Sequence, residues 1–152
     1  MAVELVRARP QHVGPIANRM RGMDVLECRA FGHSPKEALR LGLRASSLCY
    51  TAKVDGRPEA MFGLTVTNAM CGEGSPWMLG TEAIYEHPRE MIRWGAAIVR
   101  RWADSTPYLK NVVAVRNDRA IRMLRRWGFT VSEGGDQVFA GVEFATFTMD
   151  RR

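Results

Sequence analysis

The sequence predicts an α/β fold, a mixed central sheet with helices on both faces, over a single domain of residues 1–152. Three observations carry this. The first is the stretch Asn117-Asp118-Arg119-Ala120-Ile121-Arg122-Met123-Leu124-Arg125-Arg126-Trp127-Gly128-Phe129, which follows the apolar run Val112-Val113-Ala114-Val115. Asn117 is placed to accept from the amides of a first helical turn. Ala120, Ile121, Leu124 and Trp127 recur on one side at helical spacing while the arginines face out, and Gly128 supplies the left-handed stop. The second is Ser34-Pro35-Lys36-Glu37, a capping box with proline at the first helical position. The third is Asp55-Gly56, a tight-turn pair between two β-prone runs.

The elements follow in order. Val3 to Arg7 alternates as a first strand. Pro10 opens a helix to about Met20, interrupted near Gly14-Pro15, with Met23 to Phe31 as a continuation or a second piece. A further helix starts at the Ser34 capping box. Leu48 to Val54 and Glu59 to Thr67 form the hairpin, and Asn68 to Pro76 reads as a loop rich in small residues. Trp77 to Tyr85 reads as the fourth strand. Pro88 starts a long helix to about Ser105, with Met91, Ile92, Gly95, Ile98, Val99 and Trp102 at helical spacing. A fifth strand near Asn111 to Val115 leads into the helix described first. Two late strands, about Thr130 to Ser132 and Val142 to Thr148, close the chain across a Gly-rich turn.

Composition sets the broad class. Hydrophobic residues make up 46% and charged residues 25%, the balance of a soluble globular protein. No apolar run has the length of a membrane span, and the N-terminus does not read as a signal peptide. Cys28, Cys49 and Cys71 are odd in number and widely spaced, which argues for small core-filling thiols in a reducing cytosol rather than disulfides or zinc. No set of His, Cys, Asp and Glu has metal-ligand spacing. The net charge of +6 would favour nucleic acid, an acidic partner or coenzyme A phosphates. The basic residues lie along helix faces without interleaved aromatics, so solvated faces are the first reading and nucleic acid the weakest functional one.

The closing stretch, with Asn117, Ala120 and then Gly128-Phe129, resembles the signature of the GNAT superfamily of N-acetyltransferases. The element order resembles that fold throughout. The resemblance implies a sheet splayed between the fourth and fifth strands, acetyl-CoA as cofactor, and a helix after Asn117 packed beside the pantetheine arm. It implies cofactor contacts at Ile84, Arg89, Glu90, Arg93 and Asn117, and a general base at Glu82 or Glu86. Four apart on the expected strand, the two carboxylates would share a face. Two departures stand out. The superfamily's proton-donating tyrosine falls at Leu124, and its glycine-rich phosphate loop is replaced by Glu86-His87-Pro88-Arg89-Glu90-Met91. Weak or absent acetyl-CoA binding is therefore expected.

A narrower resemblance lies in Asp55-Gly56-Arg57-Pro58-Glu59-Ala60-Met61-Phe62-Gly63, Gly74-Ser75-Pro76-Trp77-Met78-Leu79-Gly80-Thr81 and Pro88-Arg89-Glu90. These phrases are similar to a GNAT-like tailed-phage family grouped with the internal virion protein A of short-tailed coliphages. That likeness implies a virion-associated or partner-binding component with an eroded acyl-CoA site. Its partners would be other phage virion proteins or a host protein, in the host cytoplasm or packaged in the virion. The alternative is an active acetyl-CoA-dependent N-acetyltransferase acting on a protein or small amine. Trp77 and Trp94 flank the same region and could line an acceptor cleft, while core packing is the ordinary fate of such side chains.

Overall fold

The structure is a computed structural model that describes residues 3–152. It is an α/β fold built on one mixed sheet, with strand order β1-β2-β3-β4-β5-β8-β6 and β7 paired to β8. The strands are β1 (Val3–Arg7), β2 (Leu48–Val54), β3 (Arg57–Asn68), β4 (Glu73–Gly80), β5 (Tyr108–Ala114), β6 (Thr130–Val131), β7 (Gln137–Phe139) and β8 (Val142–Asp150). Five α-helices occur among the described residues: α1 (Val13–Asn18), α2 (Gly22–Ala30), α3 (Pro35–Ala45), α4 (Pro88–Ser105) and α5 (Asp118–Arg126). None is long and apolar enough to cross a membrane.

Two compact units divide the chain. The first runs to Thr65 and resumes over Trp77–Pro88; the second comprises Val66–Pro76 and Arg89–Arg152. In the first, β1 and β3 flank β2 in antiparallel register. The turn between β2 and β3 has Asp55 and Gly56 at φ 50° and 84°, the left-handed pair that a two-residue hairpin demands. The capping box forms as the sequence predicts: Glu37 N donates to Ser34 Oγ at 3.2 Å, and Ser34 N donates to Glu37 Oε1 at 2.8 Å. Val13, Ile16, Met20, Cys28, Leu39 and Met61 form the core of this unit. Trp77 joins it rather than lining a cleft. Its indole Nε1 donates to Ser46 Oγ at 2.7 Å, and a Cβ on Gly42 would sit 2.5 Å from its ring.

In the second unit β5 pairs with β8 along its whole length. Leu109, Val113, Phe144 and Phe147 are buried there together with Met91, Val99 and Trp102 of α4. Asn117 caps α5 by accepting from Ala120 N at 3.4 Å. Gly128, at φ 103°, ends it, and Phe129 N returns to Leu124 O at 3.0 Å. Leu124 is buried as its spacing predicts, and Trp127 is half-buried. Trp127 lies on α4 where Gly95 leaves room, its Nε1 donating to Met91 O at 2.9 Å.

Beyond shifts of two or three residues at strand ends, the elements differ from the sequence reading in three places. Pro15 does not interrupt α1; it stands in the first turn, where no amide donor is required. The preceding residues Pro10–His12 form a short 3-10 turn instead. The fourth strand is displaced: it occupies Glu73–Gly80, and Glu82–Glu86 is a 3-10 helix rather than strand. Third, β7 pairs with β8 through a turn at Ala140-Gly141 where only a connection was expected.

The sheet does part between β4 and β5. Their parallel pairing covers Glu73 with Tyr108 and Gly74 with Leu109.

Candidate functional site

Two local features stand out, one within each compact unit. The first is a set of buried charges in the first unit, gathered around Gly80 and Thr81. Glu59 is almost wholly buried, yet both of its carboxylate oxygens are engaged. Oε1 accepts from Thr81 Oγ1 at 2.7 Å and from Arg19 Nη1, and Oε2 accepts from Arg57 Nε at 2.8 Å. Burial works to raise its pKa, and the bonds from Thr81, Arg19 and Arg57 outweigh it, so the group sits below the usual carboxylate range. Thr81 N donates to Glu59 O at 2.8 Å, which fixes the chain where β4 ends.

Beside it lies a second pair, with Arg21 at 6% and Asp24 at 4% exposure. Arg21 Nη1 donates to Asp24 Oδ1 at 2.7 Å, and Gly80 N donates to Asp24 Oδ2 at 2.9 Å. Arg21 N in turn donates to Gly80 O at 3.0 Å. Burial pushes the Asp24 carboxyl up to about 6 against the pull of the guanidinium. For Arg21, burial opposes the charge, while Asp24, Tyr85 and Glu82 more than restore it. The guanidinium carbon lies 4.4 Å from the centre of the Tyr85 ring, and Nε is 3.6 Å from Glu82 Oε1.

The residues expected to carry chemistry fall in both units, Glu82, Ile84 and Glu86 in the first and Arg89, Glu90, Arg93 and Asn117 in the second. Glu82 opens the 3-10 helix with its side chain 65% exposed, and Glu86 closes it, also exposed. A 3-10 helix turns once in three residues, so two positions four apart differ by about 120° and do not share a face. That corrects the strand-based expectation for the pair. Ile84 is fully buried, and its carbonyl accepts from His87 N at 3.3 Å. Arg89 and Arg93 are exposed on the first turns of α4, four residues apart and hence on one side, while Glu90 is half-buried. Asn117 is buried at 2%, its side-chain oxygen committed to the cap of α5. Among the described residues no cluster of His, Cys, Asp and Glu could hold a metal ion.

The second feature is the fork in the sheet, which lies within the second unit. Tyr108 N donates to Gly72 O at 2.9 Å. Alternate residues of a strand face the same neighbour, so 74 and then 76 come next along that edge. At 76 stands a proline, which has no N–H to give. The Asn111 side chain fills the break: Val112 N donates to Asn111 Oδ1 at 2.8 Å, and Asn111 Nδ2 donates to Pro76 O at 2.8 Å. One side-chain amide thus replaces a backbone rung where the ladder stops.

Sequence reasoning did not find Arg21, Asp24 or Asn111. An i, i+3 pair of opposite charges reads as a solvated helix surface, and nothing local signals its burial. Asn111 left a trace, a lone amide at the head of Val112-Val113-Ala114 paired with the unusual mid-strand Pro76.

No protein-family model matches the chain, and no curated protein matches it in sequence. Solved structures do match in fold. An acetyltransferase of the GNAT family from Streptococcus pneumoniae superposes with a TM-score of 0.62 at 12% identity, covering 97% of this chain and 97% of that one. A ribosomal L7/L12 alpha-N-protein acetyltransferase in complex with coenzyme A gives 0.66 at 14% identity, covering 99% and 94%. An aminoglycoside acetyltransferase in complex with coenzyme A gives 0.67 at 15% identity, covering 99% and 95%.

Proposed function

We propose that this chain, whose GNAT fold extends over nearly its whole length, is an acyl-CoA-dependent N-acyltransferase acting on an amine. The observation that carries the reading is the fork. A parallel ladder stops after two pairs, and a dedicated side chain and a proline seal the point where it stops. Fold alone does not decide function, but a sheet that opens by local design rather than by irregularity supports a ligand-binding role.

The start of α4 fits a polyphosphate in its donor set. First-turn amides have no partner within a helix, and Arg89 and Arg93 add two exposed cations on one side. Pro88 removes one donor and Glu90 opposes an anion, so the fit rests on the arginines more than on a backbone cradle. Bound acyl-CoA would supply an activated thioester carbonyl. Glu82, exposed at the start of the 3-10 helix that follows β4, holds a carboxylate able to take a proton from an approaching ammonium. Leu124 is buried and carries no proton, so no donor comes from that position.

A second reading is a GNAT-fold binding protein without turnover. Leu124 and the Pro88–Glu90 turn favour it. The virion role belongs to this reading, and it rests on sequence phrases alone.

Calorimetric titration with coenzyme A and acetyl-CoA at low salt, followed by thiol release with polyamine and peptide acceptors, tests the proposal. Weak but saturable binding is expected, weakened about fivefold further by Arg89→Ala, the equivalent of roughly 1 kcal/mol at a helix end. Thiol release should fall in Glu82→Gln. Binding without release would favour the second reading, and no binding at all would overturn the first.

A further inference from the structure

We infer that Arg21 is the positioning residue for the Glu82 carboxylate, and that Asp24 holds Arg21 in the orientation this requires. The inference rests on the acyl-transfer reading for the role of Glu82, while the pairing itself stands on geometry.

Glu82 lies on a short 3-10 helix with most of its side chain in solvent, a poor setting for a fixed carboxylate. The guanidinium beside it is the opposite, buried and constrained on three sides. Asp24 Oδ1 takes Nη1 at 2.7 Å, the Tyr85 ring lies under the cationic carbon at 4.4 Å, and Nε lies 3.6 Å from Glu82 Oε1, at ion-pair distance. A planar guanidinium with one edge engaged has its other donors aimed by that engagement. Asp24 itself cannot drift, because its second oxygen accepts from Gly80 N at 2.9 Å. Gly80 is the last residue of β4, two before Glu82. The same aspartate therefore fixes the backbone from which Glu82 springs and the cation that Glu82 meets.

Energetics favour a purpose for this arrangement. A buried ion pair seldom outperforms a well-packed apolar pair of the same size, because both charges must be desolvated. A staple between α2 and β4 would need no arginine. The ion pair from Nε to an exposed glutamate and the aromatic face beneath the guanidinium are what a simple staple leaves unexplained. Residue 21 thus acts through Glu82, and a tyrosine-backed guanidinium sets the direction from which a proton can reach the carboxylate.

A double-mutant cycle separates this from a structural role. Arg21→Lys keeps a cation for Asp24 but removes the planar edge and the stacked face. In the otherwise native protein it should lower kcat about tenfold or more, the scale of a misplaced catalytic group, with the KM for acyl-CoA held within about twofold. In a Glu82→Gln background the same change should cost almost nothing. Equal losses in both backgrounds, or a loss confined to KM, would overturn the inference. Should Arg21→Lys fail to fold, Asp24→Asn carries the same cycle with the arginine retained. A second readout needs no turnover: the carbon-13 signal of the Glu82 carboxyl, identified by its disappearance in Glu82→Gln, should move in Arg21→Lys. An unmoved signal overturns the pairing. Absence of turnover with every amine, beside a signal that does move, would instead count against the acyl-transfer reading alone.

Discussion

Gly95→Ala places a single methyl group where there is no room for it. A Cβ at that position would lie 2.2 Å from Trp127 Cε2 and 2.3 Å from Nε1, with the ring closing off that side of α4. Carbon atoms in contact sit about 3.5–4.0 Å apart, so the indole must retreat by more than an ångström. Retreat breaks the Trp127 Nε1 bond to Met91 O and disturbs the tilted stack on Trp94, whose ring centre is 6.4 Å away. Overpacking of this kind costs roughly 1–3 kcal/mol, and the lost hydrogen bond adds about 1 kcal/mol. Against this, alanine is about 0.8–1.0 kcal/mol better than glycine inside a helix. The net expectation is destabilisation of about 1–3 kcal/mol, or a melting point lowered by roughly 2–4 °C for each kcal/mol at this chain length. Urea unfolding followed by tryptophan fluorescence and circular dichroism gives the comparison. The decisive arm is a Trp127→Ala background, where the clash is gone and only propensity remains. There the sign should invert, with Gly95→Ala stabilising by about 1 kcal/mol. A Gly95→Ala protein as stable as the parent, or destabilised equally in both backgrounds, would refute the packing argument.

Two further outcomes follow from groups with defined partners. Asn111→Leu should leave Pro76 O and Val112 N without the amide that joins them, at roughly 1–3 kcal/mol for each stranded group. Asn111→Asp keeps an acceptor for Val112 N and should lose less, and chemical denaturation that ranks the two in the other order would contradict the rung. His12 is buried with Nδ1 accepting from Arg9 N at 3.1 Å and facing Thr51 Oγ1 at 2.8 Å, so its proton belongs on Nε2. Burial, then Lys53 and Arg9, hold its pKa below the usual histidine value. The unfolded chain therefore takes up a proton near pH 6.5, where the folded one still resists it. The His12 contribution should be complete above that pH and decline as pH falls toward the folded value. A wild-type stability curve that runs parallel to that of His12→Gln between pH 7 and 5 would sink this assignment.

What the sequence made legible was mostly local. Ser34 and Glu37, Asp55-Gly56, Asn117 and Gly128 each announce a backbone conformation that only a few residue types satisfy, and all four appear where expected. The same logic explains what was hidden. The β7–β8 turn places Ala140 at φ 50° ahead of Gly141 at φ 78°, so its first left-handed position lacks the glycine, asparagine or aspartate that normally marks one. The start of β4 contains Gly74 and Pro76, both strand breakers by propensity, and it forms a strand because sheet neighbours on either side impose it. Ile84 and Tyr85 are the only strand-favouring residues of Glu82–Glu86, and the segment turns inward to bury Ile84 instead of extending the strand. The candidate site was legible only as positions along the chain. Its anchors, Asp24 on Gly80 and Glu59 on Thr81, span 56 and 22 residues, and no short-range pattern encodes such pairings.

The side-chain rung at Asn111 has a bearing on how this protein behaves in crowded or partly unfolded conditions. Wherever a ladder ends early, the chain displays a row of donors and acceptors that can recruit a strand from another molecule, the first step toward swapping or fibrous aggregation. Val112 N is occupied by its neighbour's amide, and Pro76 has no N–H to offer. An incoming strand would have to displace Asn111 from both of its bonds and would still find no donor at Pro76. The residues that let the sheet open also make the opening a poor template, so the interruption is protected against being repaired by the wrong chain.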